Sequence, residues 1–172
     1  MNYIYIKVFM IYYMHKKLLS FLQKNKINFD EYKHPAVFTV KESKKIKNDI
    51  PGLHCKCLFL KDEKNEFYLI GMSAEKRLDT KKLRKYLKVR KLHFASESEL
   101  LEILKLKPGS VSIFGMINCN KKNVKLILSS EVWEAEKVGF HPNINTVTIV
   151  VTHENLKKYY DSLNCDEEIL EL

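Results

Sequence analysis

The sequence predicts a mixed α/β domain, a mixed sheet with flanking helices, and three observations carry that prediction. Short runs rich in Val, Ile, Leu, Thr and Phe recur at 55–60, 67–72, 124–128, 137–140 and 146–151, each long enough for a strand. Between them lie stretches with apolar residues at helical spacing, two of them opened by a Ser or Thr three residues before a Glu. Strands and helices mix without a strict βαβ repeat and without a GxGxxG or P-loop motif, which argues against a Rossmann order. At 172 residues, 45% hydrophobic and 30% charged, the chain has the size and composition of a single soluble domain.

Residues 1–14 read as an N-terminal extension. Tyr3 to Met14 is apolar apart from Lys7, but it is shorter than the roughly 20 residues of a membrane span. It also lacks the basic start and small-residue cleavage site of a secretory signal. The expected compartment is the cytoplasm, with organelle targeting by the extension left open. The domain itself is expected over 15–163. Leu18, Leu19 and Leu22 predict a helix from about His15 to Asn25, and Ile27 to Tyr32 alternates as a strand stopped by His34-Pro35. Thr39-Val40-Lys41-Glu42 is a capping box that opens a helix to about Asn48, ended by Pro51-Gly52. Cys55 to Leu60 and Phe67 to Met72 predict a hairpin joined by Asp62-Glu63-Lys64-Asn65.

A basic helix is expected from about Asp79 to Leu87. Ser96-Glu97-Ser98-Glu99 caps another that runs to about Leu104. Short β-rich runs follow at Val124 to Leu128, Lys137 to Phe140 and Thr146 to Val151, and His153 to Leu163 makes the last helix. Residues 164–172 are read as an acidic, structureless tail.

The chain carries 30 Lys and Arg against 21 Asp and Glu, a net charge of +9 that suits a polyanionic partner. Its cysteines, Cys55, Cys57, Cys119 and Cys165, form no CxxC pair. Cys55 and Cys57 share a strand face beside His54, but no second Cys/His pair has the spacing a zinc site needs, so no metal and no cofactor is expected. Reduced thiols are the simpler reading.

Three islands hold the candidate chemistry: His54-Cys55-Lys56-Cys57-Leu58-Phe59-Leu60-Lys61-Asp62, Pro108-Gly109-Ser110-Val111-Ser112, and Gly139-Phe140-His141-Pro142-Asn143-Ile144-Asn145-Thr146-Val147-Thr148. Lys56 opens an apolar run where a lysine is costly to bury unless paired or used, and an exposed edge lysine is the alternative. Gly109 belongs to a Pro-Gly turn that either ends the preceding helix or offers backbone amides to a ligand. His141 is either a turn histidine or a pocket residue, with Asn143 and Asn145 in local backbone bonds or facing a ligand. The remaining histidines, His15, His54, His93 and His153, read as surface or packing residues. From 76 to 91 the chain holds Lys76, Arg77, Lys81, Lys82, Arg84, Lys85, Lys88, Arg90 and Lys91 against the single acid Asp79. Such a run is either a solvated face or a phosphate track.

Together and in this order the islands resemble the YbaK/prolyl-tRNA-synthetase-associated domain, a family of aminoacyl-tRNA deacylases. The resemblance spans about 15–163. It implies a single domain whose mixed sheet is largely antiparallel or a partial barrel. It implies hydrolysis of the ester of mischarged tRNA(Pro), in trans or as an appended domain, with Ala-tRNA(Pro) as substrate because the Leu-Phe-Leu-Lys-Asp strand and His-Pro-Asn turn are closest to that branch. Lys56 fills the position of the family's active lysine. Gly109 begins its Gly-x-x-x-Pro loop, and His141 its His-Pro-Asn turn. Cys57, Ser110, Val111, Ser112, Asn143, Asn145 and Thr146 are then substrate-binding. His34-Pro35 with Phe38 and Thr39 matches the family's entry segment and forms pocket wall. Lys76, Arg77, Lys81, Lys82, Arg84, Lys85 and Lys88 would track tRNA phosphates. The implied partners are the tRNA acceptor end and a prolyl-tRNA synthetase, in cis or in trans. Two departures stand out, Cys57 where Asn or Thr usually follows the lysine and Ile113 in place of the loop proline. They favour one rival reading, a non-catalytic tRNA-binding module of a larger synthetase; a Cys-tRNA(Pro) deacylase is the alternative branch of the family.

Overall fold

The computed structural model describes residues 16–36, 49–119, 123–163 and 166–172. The expected helix at 39–48 and the extension 1–14 lie outside these residues. In chain order the described elements are α1 Lys16–Lys24, β1 Asp30–Lys33, β2 Leu53–Asp62, β3 Phe67–Ser73, α2 Thr80–Leu87, β4 Leu92–Phe94, α3 Glu97–Leu104, a 3-10 helix Ile113–Asn118, β5 Val124–Ser129, α4 Ser130–Glu134, β6 Lys137–Phe140, β7 Val147–Thr152, α5 His153–Asp161 and β8 Asp166–Leu170.

The strands form one mixed sheet in the order β1-β7-β6-β2-β3-β5-β8, with β4 also paired to β2. β1–β7, β6–β7, β2–β3 and β2–β4 are antiparallel, whereas β2–β6, β3–β5 and β5–β8 are parallel. The expected β2–β3 hairpin forms. Asn65 takes the left-handed conformation at φ 61, and the Asp62 carboxylate accepts from the N–H of Lys64 (2.7 Å), the N–H of Glu66 (3.0 Å) and the hydroxyl of Tyr68 (2.9 Å). A buried carboxylate with three donors fixes the turn and hence the register that follows it.

Because side chains alternate along a strand, that register sorts β2 into two sets. Leu53, Cys55, Cys57 and Phe59 face the larger core, with Leu69 of β3, Leu126 and Leu128 of β5 and Ile149 of β7. Helices close this side. Leu18 and Leu22 of α1 and Leu104 of α3 are fully buried, each worth about 1.5–3 kcal/mol of apolar transfer. Leu58 and Leu60 face the opposite side, where Tyr68, Ile70 and Ile127 meet Leu83 of α2. α2 is held there by its own ends: Asp79 accepts from the N–H groups of Lys81 and Lys82, and Lys88 closes the helix in the left-handed conformation. Both caps of α3 form as well, including the Ser96/Glu99 capping box.

Two boundaries differ from the sequence reading. β1 begins at Asp30 rather than Ile27, because Ile27 is buried under α1, its amide bonded to the Leu22 carbonyl at 2.9 Å. The acidic tail is not structureless over its described part, since β8 adds a parallel edge strand to β5 with Leu126 opposite Glu167 and Leu128 opposite Ile169. Leu170 and Leu172 pack on the α2-side cluster, and Glu168 accepts from the Tyr86 hydroxyl and pairs with Lys125 at 3.5 Å, partners that composition does not reveal. Among the described residues no helix is long and apolar enough to cross a membrane.

Candidate active site

β2 is paired to β6 only at Leu53 and His54, and to β4 only from Leu60 onward. Between those contacts the strand keeps β3 on one side and opens on the other, where the Phe59 carbonyl accepts from the N–H of Ala95 at 2.9 Å. Lys56 lies on this stretch of β2, opposite Met72 of β3. Two positions from Leu58 on a regular strand, it belongs to the face away from the larger core. Its ammonium donates to the carbonyl of Ala74 at 3.3 Å and to that of Lys76, so the chain leaving β3 toward α2 carries the anchor of this lysine. The His54 carbonyl, in turn, accepts from the N–H of Ala74 at 2.8 Å.

Histidines gather on the same face. In β6, Val138 and Phe140 are core residues, so Gly139 and His141 alternate to the side of His54 and Lys56. The rings of His34 and His141 lie 5.6 Å apart. His34 Nδ1 reaches the Pro35 carbonyl at 2.9 Å and Nε2 the Thr148 hydroxyl at 3.0 Å. A carbonyl only accepts, so the proton of the neutral ring is on Nδ1 and Thr148 donates to Nε2. By the same logic His54, bonded through Nε2 to the Ile50 carbonyl at 2.9 Å, carries its proton there. Burial, with the charges of His34 and then His54 adding to it, pushes His141 down to about 4. His141 is therefore a neutral imidazole at physiological pH, a hydrogen-bonding group rather than a cation.

The second island approaches from the core side. α3 is already closed by Lys105 at φ 57, so the Pro108-Gly109 turn is not its stop. Gly109 has φ 82, which the third position of a type II turn requires, and the turn closes through Ser110 N–H to the Lys107 carbonyl at 3.1 Å. Ser112 is buried and accepts from the N–H of Phe114 at 3.2 Å, starting the 3-10 helix. Val111 and Ile113 pack in the larger core.

Cys57, named above as substrate-binding, is half-buried on the strand face opposite Lys56. Its thiol points away from Lys56 into the larger core, accepts from the N–H of Ile113, and is pushed up to about 12 by burial. Ile113 likewise fills core space, its Cγ2 close over Gly71. The two departures from the family pattern thus meet each other away from the lysine face.

The third island joins the other two. Asn143, buried and at φ 66, donates to the Phe114 carbonyl at 3.3 Å, which ties the 141–146 loop to the 3-10 helix. Its Oδ1 is buried without a hydrogen-bond partner among the described residues, an acceptor that a donor entering this loop would satisfy. Asn145 and Thr146 are partly buried in the same loop, and the Thr146 carbonyl accepts from His34 N–H at 3.0 Å. Phe38 and Thr39 lie outside the described residues.

The basic set lies on the same side of the sheet as Lys56. Lys81, Lys82, Arg84 and Lys85 ride on α2, Lys76 and Arg77 precede it, and Lys88 caps it. Lys76 is paired with Glu131 at 2.7 Å and Lys82 with Glu171 at 3.9 Å, both exposed pairs of the kind worth at most about 1 kcal/mol. Sequence reasoning sets His54 aside and does not single out Thr148. The signal for His54 is its spacing of two from Lys56 on a strand; the partner of Thr148, His34, is 114 residues distant and has no local signal. Among the described residues no group of three or more His, Cys, Asp or Glu side chains could hold a metal ion.

The same set of segments recurs in known proteins. The family model described as the aminoacyl-tRNA editing domain matches residues 34–159. The prolyl-tRNA editing protein ProX of Acetoanaerobium sticklandii is 34% identical over 142 residues, covering 82% of this chain and 87% of that protein. The prolyl-tRNA synthetase associated domain-containing protein 1 of Bos taurus is 33% identical over 149 residues, 84% of this chain and 86% of that protein. A crystal structure described provisionally as a trans-editing enzyme for prolyl tRNA synthetase superposes with a TM-score of 0.68 at 19% identity, covering 88% of this chain and 94% of that one, a likeness of fold.

Proposed function

The chain belongs to the aminoacyl-tRNA editing domain family, and from that premise we propose that it hydrolyses the ester of mischarged tRNA(Pro), with alanine as the amino acid removed. The observation that supports this reading best is the gathering of Lys56, His54, His141 and His34 on one sheet face, beside the gap between β6 and β4.

The substrate is an amino acid esterified to the terminal ribose of a tRNA. Such an ester is already activated, so positioning and charge stabilisation supply most of what catalysis needs. Lys56 brings positive charge to the ester or the adjacent phosphate, held in place by the carbonyls of Ala74 and Lys76. In the 109 loop, Ser110 N–H is committed to Lys107, Ile113 N–H to Cys57 and Phe114 N–H to Ser112. The loop that begins at Gly109 is assigned the developing oxyanion through its backbone amides, with the ester reaching it past the edge of β2. Neutral His141 orients the ribose or aminoacyl end by hydrogen bonding, and Asn143 Oδ1 accepts from the substrate amine or hydroxyl. The 2′-hydroxyl of the substrate serves as base for the attacking water. Lys76, Arg77, Lys81, Lys82, Arg84, Lys85 and Lys88 hold phosphates, and prolyl-tRNA synthetase is the partner whose errors are corrected. Such correction is needed because a synthetase pocket rejects a smaller side chain by only about 1–3 kcal/mol.

Deacylation of Ala-tRNA(Pro), Cys-tRNA(Pro) and Pro-tRNA(Pro) by the purified chain tests the reading, with Lys56→Ala alongside. Alanine is expected to be released fast and proline spared, with the variant slower by on the order of 10²–10³-fold and still folded. Faster release of cysteine would reassign the substrate. Decay of all three esters at the buffer rate, with tRNA still bound, would leave a binding module and sink the enzymatic reading.

A further inference from the structure

We infer that Phe94 is a stacking platform for an unpaired nucleotide of the tRNA 3′ end, a positioning residue for the reaction proposed above, on which this inference rests. Phe94 ends β4 with 69% of its surface exposed, the most exposed large hydrophobic side chain among the described residues. Its register partner is Leu60, and paired residues share a face, so the ring stands on the side of Leu60, Leu58 and Lys56. Leu92, two residues earlier on the same strand, packs into the cluster under α2, whereas Phe94 extends past that cover.

The gap beside β2 is thus bordered by His141 at one end and Phe94 at the other, with Lys56 on the strand between. Leu60 lies four positions beyond Lys56, about 13 Å along the strand. That distance corresponds to about four stacked nucleotides at roughly 3.4 Å each, the scale of the unpaired tail that ends in the aminoacyl ester. Exposed Arg90 and Lys91 immediately precede β4, and α2 with its lysines flanks the same face. An aromatic face among cations is the arrangement that holds single-stranded nucleic acid, because bases stack on the ring while the cations meet phosphates. A protein partner would ask for a broader apolar patch, and the residues bordering Phe94 in sequence, His93 and Ala95, do not supply one.

The test compares Phe94→Ala, Phe94→Leu and Phe94→Tyr on Ala-tRNA(Pro) and on 3′-O-alanyl-adenosine, which carries the ester but no strand beyond its own base. With tRNA, the Ala and Leu variants are expected to lose about 5- to 150-fold in kcat/KM, chiefly through KM, and the Tyr variant to stay within about twofold. With alanyl-adenosine all of them should match the wild type. Equal activity of Phe94→Ala and wild type on tRNA would overturn the inference, as would a Leu variant as active as Tyr, or an equal loss on the small ester. If the wild type cleaves neither ester, the proposed function has failed by itself. Stacking is then read from Phe94→Trp, whose added emission should be quenched by uncharged tRNA; unchanged emission would overturn it.

Discussion

Replacing His141 with Asn tests the electrostatics of the lysine face in one experiment. An ordinary imidazole titrates near 6.5, and His141 is held to about 4 by burial and by its neighbours His34 and His54. Its folded state prefers the neutral ring, so protons bind the unfolded chain more readily between those two values. The consequence is a penalty that is absent above pH 6.5, grows as pH falls, and is complete below about 4. At pH 5 the linkage relation gives at most about 2 kcal/mol from this residue, a large part of a domain's stability. Urea unfolding at pH 7.5 and pH 5 would show it. The wild type should lose up to about 2 kcal/mol more than the Asn variant over that interval. Deacylation by the wild type should also pass through pH 6.5 without the step of an ordinary histidine. An NMR titration that places the His141 ring near 6.5, or equal acid sensitivity of the two proteins, would refute the reasoning.

Two further outcomes are expected. Changing Lys81, Lys82 and Lys85 together to Glu should weaken tRNA binding and flatten its dependence on salt, by roughly one in log–log slope for each phosphate no longer neutralised; identical slopes would reject the phosphate track. Glu167 is pushed up to about 7, first by burial and then by Asp161, with Lys157 opposing, and its Oε2 is buried without a partner among the described residues. The stability it contributes is present below its ordinary value of 4.5 and is lost as pH rises through about 7. Glu167→Gln should therefore melt higher than the wild type at pH 8 and nearly together with it at pH 4.5; coincident melts at pH 8 would contradict the assignment.

What sequence reveals and what it hides have a common physical basis. The hairpin, α2 and α3 are legible because their determinants are local: an Asx turn, an Asp N-cap and a capping box, each within four residues of what it stabilises. The mixed sheet is legible as a class but not as an order, because the parallel pairing of β2 with β6 joins residues 85 positions apart. β8 escapes sequence reasoning because its strand pairing is with distant β5 and its Glu168 is matched by Tyr86 and Lys125, and nothing nearby announces those partners. Within the site, Lys56 and His141 carry motifs. His54 carries only a parity with Lys56, and the inward turn of Cys57 follows from that same parity.

The alternation along β2 has a consequence for how such a protein can change over generations. Even-numbered positions there carry His54, Lys56, Leu58 and Leu60, and odd-numbered ones carry Leu53, Cys55, Cys57 and Phe59. A substitution at an odd position is judged first by the packing of the interior, and there Cys57 is coupled to Ile113, whose N–H it accepts, so the two are expected to change as a pair. Gain or loss of a single residue in this strand is another matter, because it exchanges the two sets at a stroke, turning the ammonium inward and the thiols toward the ligand. Variation in β2 is thereby channelled into replacement and closed to changes of length.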